Sequence, residues 1–181
     1  DIGAGEVTMQ PMDEEDWSEE WKKYFKPQKP GEKIVIKPTW EPYETADGEV
    51  VLELDPGMAF GTGTHETTVL CLQELEKRVD AQKTVLDIGC GSGILAIAAA
   101  LLGCKKAIGV DLDSMAVEIS KRNAILNHVE EAVDIRHGNL MDVVDEQAEL
   151  MVSNIIAEII VKMCQDVSQY IVPGGIWIAS G

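Results

Sequence analysis

Apolar and polar positions divide the chain into two zones. From residue 56 onward, short apolar runs alternate with stretches whose apolar residues recur at helical spacing. The runs at Thr84–Ile88, Ala107–Asp111, Val133–His137, Leu150–Ser153 and Ile176–Ala179 predict strands, the last following the turn Pro173-Gly174-Gly175. Helices are predicted at about His65–Lys77, Gly93–Leu102, Ser114–Leu126 and Ile156–Tyr170. Strands separated by helices imply right-handed crossovers and a parallel sheet. The near-continuous apolar character of the strands implies cover on both faces. The expected fold is α/β, a doubly wound, mostly parallel sheet of Rossmann-like type.

Residues 1–55 read differently. They are rich in Pro, Trp and charge. Trp17, Trp21, Tyr24 and Phe25 fall at i, i+4, i+7 and i+8 within Asp13–Phe25, one face of a predicted short helix that Pro27 and Pro30 end. Acids lead this helix and lysines follow, as the helix dipole favours. The aromatic stripe suits a helix packed on the main domain, or a partner surface. Ile34–Ile36 and Val50–Leu54 predict short strands around a loop containing Gly48. The expected division is an N-terminal approach over 1–55 and a ligand-binding domain over 56–181.

The chemistry of the second zone concentrates where strands end. Val85-Leu86-Asp87-Ile88-Gly89-Cys90-Gly91-Ser92-Gly93 is a strand, a glycine loop and a helix start. Glycines permit the tight turn and the close approach of a ligand, and a helix N-terminus favours an anion. Asp111 closes the next strand, placed to accept hydrogen bonds from ribose hydroxyls. Together these features point to an adenosine-containing ligand. The dinucleotide fingerprint is G-x-G-x-x-G, whereas here the spacing is G-x-G-x-G and Ile94 stands where the third dinucleotide glycine would be. The pattern Asp-x-Gly-x-Gly resembles motif one of the class I S-adenosylmethionine-dependent methyltransferases. A nicotinamide dehydrogenase is the competing reading.

Charge and cysteines narrow the classes. The chain of 181 residues carries a net charge of −17, with a pI near 4.4. That argues against a general polyanion binder, and no direct nucleic-acid partner is expected. An acidic surface would instead steer in a basic partner. No apolar run reaches the ~18 residues of a membrane span. The polar, acidic stretch Asp1–Glu15 is no signal peptide. The four cysteines are scattered, so reduced thiols in the cytoplasm are expected rather than a zinc site or a disulfide framework.

Two further segments add to the glycine loop. Asp55–Thr68, Asp-Pro-Gly-Met-Ala-Phe-Gly-Thr-Gly-Thr-His-Glu-Thr-Thr, joins a strand to a helix. A segment so rich in glycine and hydroxyls can fold over a ligand, and Thr64 can N-cap the following helix. Ser153-Asn154-Ile155-Ile156-Ala157 follows the fourth strand of the sheet. Asn154 there either faces the cleft, accepting from an amine, or N-caps the next helix.

These three segments, with Asp16–Pro27 and Ile36–Trp40, resemble the PrmA-type methyltransferases of large-subunit ribosomal protein eleven. The resemblance covers the chain from about Asp16. It implies an S-adenosylmethionine-dependent protein methyltransferase acting on amine nitrogens of that ribosomal protein. By resemblance, Thr68, Gly89, Asp111 and Asn154 match positions that contact the cofactor, and Phe60, Gly61 and Thr62 lie in the loop that covers it. Gly91 would line the methionine end, Asp111 would hold the ribose, and Asn139 would lie beside the adenine. Asn154 would also face the acceptor amine, as the catalytic residue. No metal is implied.

The chain departs from the family pattern in reading Asn-Ile-Ile-Ala where Asn-Ile-Leu-Ala is usual. The family's small N-terminal recognition domain and the antiparallel strand pair that follows the fifth sheet strand are expected to be missing. Other substrates on the same fold (RNA or a small molecule), a dinucleotide oxidoreductase and a non-catalytic binding module are the alternatives. No general base stands out. His65 reads as a histidine of the loop, His128 as a surface residue and His137 as a strand-end residue.

Overall fold

The computed structural model describes residues 25–55 and 65–181. The predicted helix at Asp13–Phe25, except Phe25, and Phe60, Gly61, Thr62 and Thr64 lie outside the described residues. Two sheets form. Strands β1 (Ile34–Pro38) and β2 (Val50–Leu54) pair in parallel, Ile34 opposite Val50 and Pro38 opposite Leu54. Helix α1 (Glu66–Arg78) then leads to the main sheet.

The main sheet is built from β3 (Thr84–Ile88), β4 (Lys106–Asp111), β5 (Val133–His137), β6 (Ala148–Asn154) and β7 (Ile171–Ser180). Its order is β5-β4-β3-β6-β7 and all its pairings are parallel. Helices α2 (Ile94–Leu101), α3 (Ser114–Leu126) and α4 (Ala157–Met163) connect or follow the strands. β3, α3 and β5 span the residues the sequence predicts. Helix α2 reads Ile-Leu-Ala-Ile-Ala-Ala-Ala-Leu and buries its first six residues, so it packs as a core element rather than an amphipathic one.

One core cluster joins α1, α2 and α3 to one face of the sheet and to β1 and β2, through Leu72, Leu75, Ile97, Val117, Leu52 and Val152. A second cluster on the other face gathers Leu86, Ile108, Met141, Met151 and Met163 under α4 and the β5–β6 loop. The sheet is therefore covered on both faces, as its apolar strands require.

Most boundaries fall within a residue or two of the sequence expectation, and two depart from it widely. Helix α4 ends at Met163 rather than continuing to Tyr170. The chain tightens there through i→i+3 bonds, Asp166 N–H to Met163 O and Gln169 N–H to Asp166 O, into a 3₁₀ turn at Val167–Gln169. That turn brings Val167 and Tyr170 against the second core cluster. Strand β7 begins at Ile171, not Ile176. Ala148 pairs with Ile171 and Leu150 with Ile176, so Pro173-Gly174-Gly175 bulges out within the strand. Proline lacks the ladder N–H and is tolerated at such a bulge.

Candidate functional site

In an open parallel sheet, ligands bind beyond the carboxyl ends of the strands, where the strand order reverses. That reversal falls between β3 and β6, since β4 and β5 extend the sheet to one side of β3 and β6 and β7 to the other. A cleft of about 620 Å³ opens there, within the range of small-molecule sites. It is lined by Gly89 and Gly91 after β3, by Asp111 and Leu112 at the end of β4, and by Asn139 and Leu140 after β5. Asn154, Ile155 and Ile156 at the end of β6, Ile159 of α4, and His65 and Thr67 at the start of α1 complete much of its wall.

The glycine loop is tied to its neighbours. The N–H groups of Gly89 and Cys90 both donate to Val110 O, at 2.8 and 3.0 Å, and Gly93 N–H donates to Cys90 O at 2.8 Å. Gly91 N–H donates to Asp111 Oδ2 at 2.8 Å. Gly89 has a φ of 78°, in the left-handed region, and a Cβ there would run into Ile155 Cγ2. Gly93 is likewise left-handed, at 81°, and caps α2 without a side-chain bond. Any other residue at either position would be strained.

The capping acceptor for α2 comes from the sheet. Asp87 Oδ2 accepts the N–H of Ala96 at 3.0 Å, the third residue of the helix. Asp87 is 1% exposed, and its Oδ1 is buried without a hydrogen-bond partner. Burial, reinforced by Asp111 nearby, raises its pKa from 3.8 to about 7. The same burial pushes the Cys71 thiol up to about 11 and the Cys90 thiol well above its ordinary value.

Asp111 holds the other side of the loop. Its Oδ1 accepts from Asp113 N–H at 2.9 Å and its Oδ2 from Gly91 N–H. Each carboxylate oxygen can accept a second bond. Among the described residues, no Lys, Arg or His forms an ion pair with Asp87 or Asp111.

Gly89, Gly91, Asp111, Asn139 and Asn154 thus line one cleft. Thr68 does not line it. It is 1% exposed on α1, and its Oγ1 accepts from Asn154 Nδ2 at 3.1 Å. Its position is behind Asn154, which it orients. The alternative of Asn154 as a helix cap is excluded, because Ile156 is the N-cap of α4 and no side-chain bond caps that helix. His65 caps α1 by accepting from Thr67 N–H through its side chain.

The apolar part of the wall was missed in the sequence. Leu112 is 66% exposed and Ile156 is 64% exposed, although both are large and apolar. Leu140 holds a φ of 54°, unusual outside glycine. A bulky apolar residue directly after the ribose-type acid was the available signal for Leu112.

Comparison with known proteins places this geometry. The model of the ribosomal protein L11 methyltransferase (PrmA) family matches residues 1–181. The chain belongs to this family. It is 58% identical over 180 residues to the ribosomal protein L11 methyltransferase of Alkaliphilus metalliredigens, covering 99% of this chain and 57% of that protein. It is 55% identical over 181 residues to the Clostridium botulinum protein of the same name, covering 100% of this chain and 58% of the relative. The chain therefore spans rather more than half the length of these relatives. Among solved structures, the ribosomal protein L11 methylase of Lactobacillus delbrueckii subsp. bulgaricus superposes with a TM-score of 0.81 at 33% identity, over 87% of this chain and 80% of that one. A Thiobacillus denitrificans SAM-dependent methyltransferase in complex with S-adenosyl-L-homocysteine superposes with a TM-score of 0.55 at 28% identity, over 61% of this chain and 47% of its own. The PrmA fold assignment thus agrees with the α/β architecture read from the sequence.

Proposed function

We propose that the cleft binds S-adenosyl-L-methionine and that the chain is the cofactor-binding part of a protein methyltransferase acting on amine nitrogens of ribosomal protein L11. The observation that carries this reading is the electrostatics of the cleft. Asp111, without a cationic partner among the described residues, lines the cleft at the end of β4, and Asp87 on the adjacent strand β3 is buried away from it with an orphaned oxygen. Apolar Leu112, Leu140, Ile155 and Ile156 face the same space. Acceptors for hydroxyls, negative charge for a cation and an apolar slot for a flat ring match a sulfonium nucleoside with an amino-acid tail. A dinucleotide fits less well. The N–H groups of Gly89, Cys90, Gly91 and Gly93 donate within the protein, whereas a pyrophosphate needs such donors turned outward.

In this reading Asp111 holds the ribose hydroxyls, Gly89 and Gly91 allow close approach of the amino-acid end, and Asn139 and Leu140 flank the adenine. Phe60, Gly61 and Thr62 cover the cofactor, and Thr68 acts through Asn154. Residues 56–181 form the binding domain and 1–55 the approach to it. The setting is the cytoplasm; among the described residues, no helix is long and apolar enough to cross a membrane.

S-adenosylmethionine supplies an electrophilic methyl carbon on a positively charged sulfur. The protein must then present a neutral amine in line with it. A lysine amine has an ordinary pKa of ~10.4, and the apolar rim of Ile155, Ile156 and Ile159 favours its neutral form by desolvation. The amide of Asn154 is fixed by its Nδ2–Thr68 bond, which leaves its carbonyl oxygen to accept an N–H of the amine and aim the lone pair.

Calorimetric titration tests the reading. S-adenosylmethionine should bind and NAD should not. Asn154→Ala should weaken both cofactor binding and methylation of the ribosomal protein. Unchanged kinetics in that variant would remove Asn154 from the site.

A further inference from the structure

Asn123 of helix α3 and Asn127, the residue that caps its C-terminus, lie one turn apart, and they reach the free edge and the end of β2. Asn127 treats Glu53 as a neighbouring strand would. Its Oδ1 accepts from Glu53 N–H at 2.8 Å and its Nδ2 donates to Glu53 O at 2.7 Å. Asn123 bridges two segments instead. Its Oδ1 accepts from Asp55 N–H at 3.3 Å, and its Nδ2 donates to the carbonyl of Ser92, inside the glycine loop, at 2.9 Å. Asn123 is 1% exposed, so both ends of its amide are committed away from water. One turn earlier, Ser120 lies against the same loop: a Cβ on Gly93 would sit 2.8 Å from Ser120 Cβ. The outer side of the glycine loop is therefore set by α3, and a single buried amide joins it to the end of β2.

We propose that Asn123 is a positioning residue for the cofactor loop, coupling the docking of the β1–β2 pair to the conformation of Gly89–Gly93. The ligand arm of this inference rests on the reading of the cleft as an S-adenosylmethionine site; the loop arm does not. Breaking either attachment alone strands one end of a buried amide without a partner, so the arrangement in which both are made is favoured together. By linkage, a ligand that orders the loop also strengthens the attachment of β2.

Asn127 supplies the internal control, because it grips the same strand without touching the loop. Each alanine variant is compared with the parent chain at the same interval below its own Tm. In the ligand-free chain, Asn123→Ala should speed amide exchange at Gly91 and Gly93 by about tenfold or more, while Asn127→Ala changes it by no more than about twofold. The Kd for S-adenosylhomocysteine should rise by about tenfold in Asn123→Ala and stay within about twofold in Asn127→Ala. In the unsubstituted chain, S-adenosylhomocysteine should slow exchange at the Glu53 and Asp55 amides, a measurement that stands even where a variant does not fold. Equal loop exchange in the two variants overturns the proposal, and so does ligand binding that leaves Glu53 and Asp55 unprotected. Failure of the parent chain to bind S-adenosylhomocysteine would instead overturn the cofactor reading, and the ligand-free exchange comparison would still decide the role of Asn123.

Discussion

The two ends of the main sheet handle charge in opposite ways. Near the amino ends of the strands and along the β5 edge, charges are neutralised against each other. Arg136 binds Asp134 and Glu146, Lys106 reaches the same two acids, and Glu149 accepts the N–H of Thr84. At the carboxyl ends, Asp87 and Asp111 stand on adjacent strands without a cation among the described residues. The amino end has spent its electrostatic free energy on the fold. The carboxyl end holds some back, and the cleft lies there. Substitutions at one end should change stability alone, and substitutions at the other should change ligand binding or reveal stored strain.

The largest expected effect is the pH dependence caused by Asp87. Its pKa is raised to about 7 in the folded chain from an ordinary 3.8. The folded state therefore holds the proton more tightly than the unfolded chain, and stability falls as pH rises from about 4 to about 7. The span corresponds to a stability loss on the order of 4 kcal/mol. Asp87→Asn should flatten that fall in urea unfolding followed between pH 5 and 8. An unaltered pH slope in the variant would mean that no charge is withheld at this end.

Next comes Gly93→Ala. The left-handed φ and the approach to Ser120 should together cost about 2–4 kcal/mol of stability. Denaturant midpoints check this, and a loss below about 1 kcal/mol would show that α3 does not confine the loop as closely as the geometry requires.

Asp111→Ala follows. It removes charged acceptors from both the loop and the cleft, so the Kd for S-adenosylhomocysteine should rise by roughly 100-fold. Binding within a few-fold of the parent would break the contrast between the two ends.

Much of this contrast was legible in the sequence, because it rests on local patterns. Apolar runs and helical spacing located β3, α3 and β5 to the residue, and the spacing of Gly89, Gly91 and Asp111 placed them on one cleft edge. What was not legible depends on partners distant in sequence. The place of Thr68 behind Asn154 follows from how α1 packs on β6, 86 residues away. The parallel pairing of β1 with β2 and the two amides, on α3 and at its C-cap, that finish its edge carry no local signature. Nor does the bulge at Pro173–Gly175, since the same residues spell a turn before a strand. Asp87 was visible as part of a motif, but its orphaned oxygen emerges only once α2 covers it.

The smallest effect is expected at the neutralised end and sharpens the comparison from the other side. Arg136 pulls the carboxyl of Glu146 down to about 2, from an ordinary 4.5. A depressed carboxylate stabilises the fold above its unfolded pKa, and that stability is lost as pH falls from about 4.5 towards 2. The Glu146 side chain is 35% exposed and Arg136 is 21% exposed, so solvent screens the pair. Glu146→Gln should therefore cost no more than about 1 kcal/mol at neutral pH, and the cost should vanish in acid. Arg136 would still donate to Val143 O at 2.8 Å, keeping the loop that carries Asn139 and Leu140 in place. The Kd for S-adenosylhomocysteine should accordingly match that of the parent chain. A rise in Kd without a matching stability loss would show that the ion-pair network reaches the cleft through that loop, and that the two ends of the sheet are not independent.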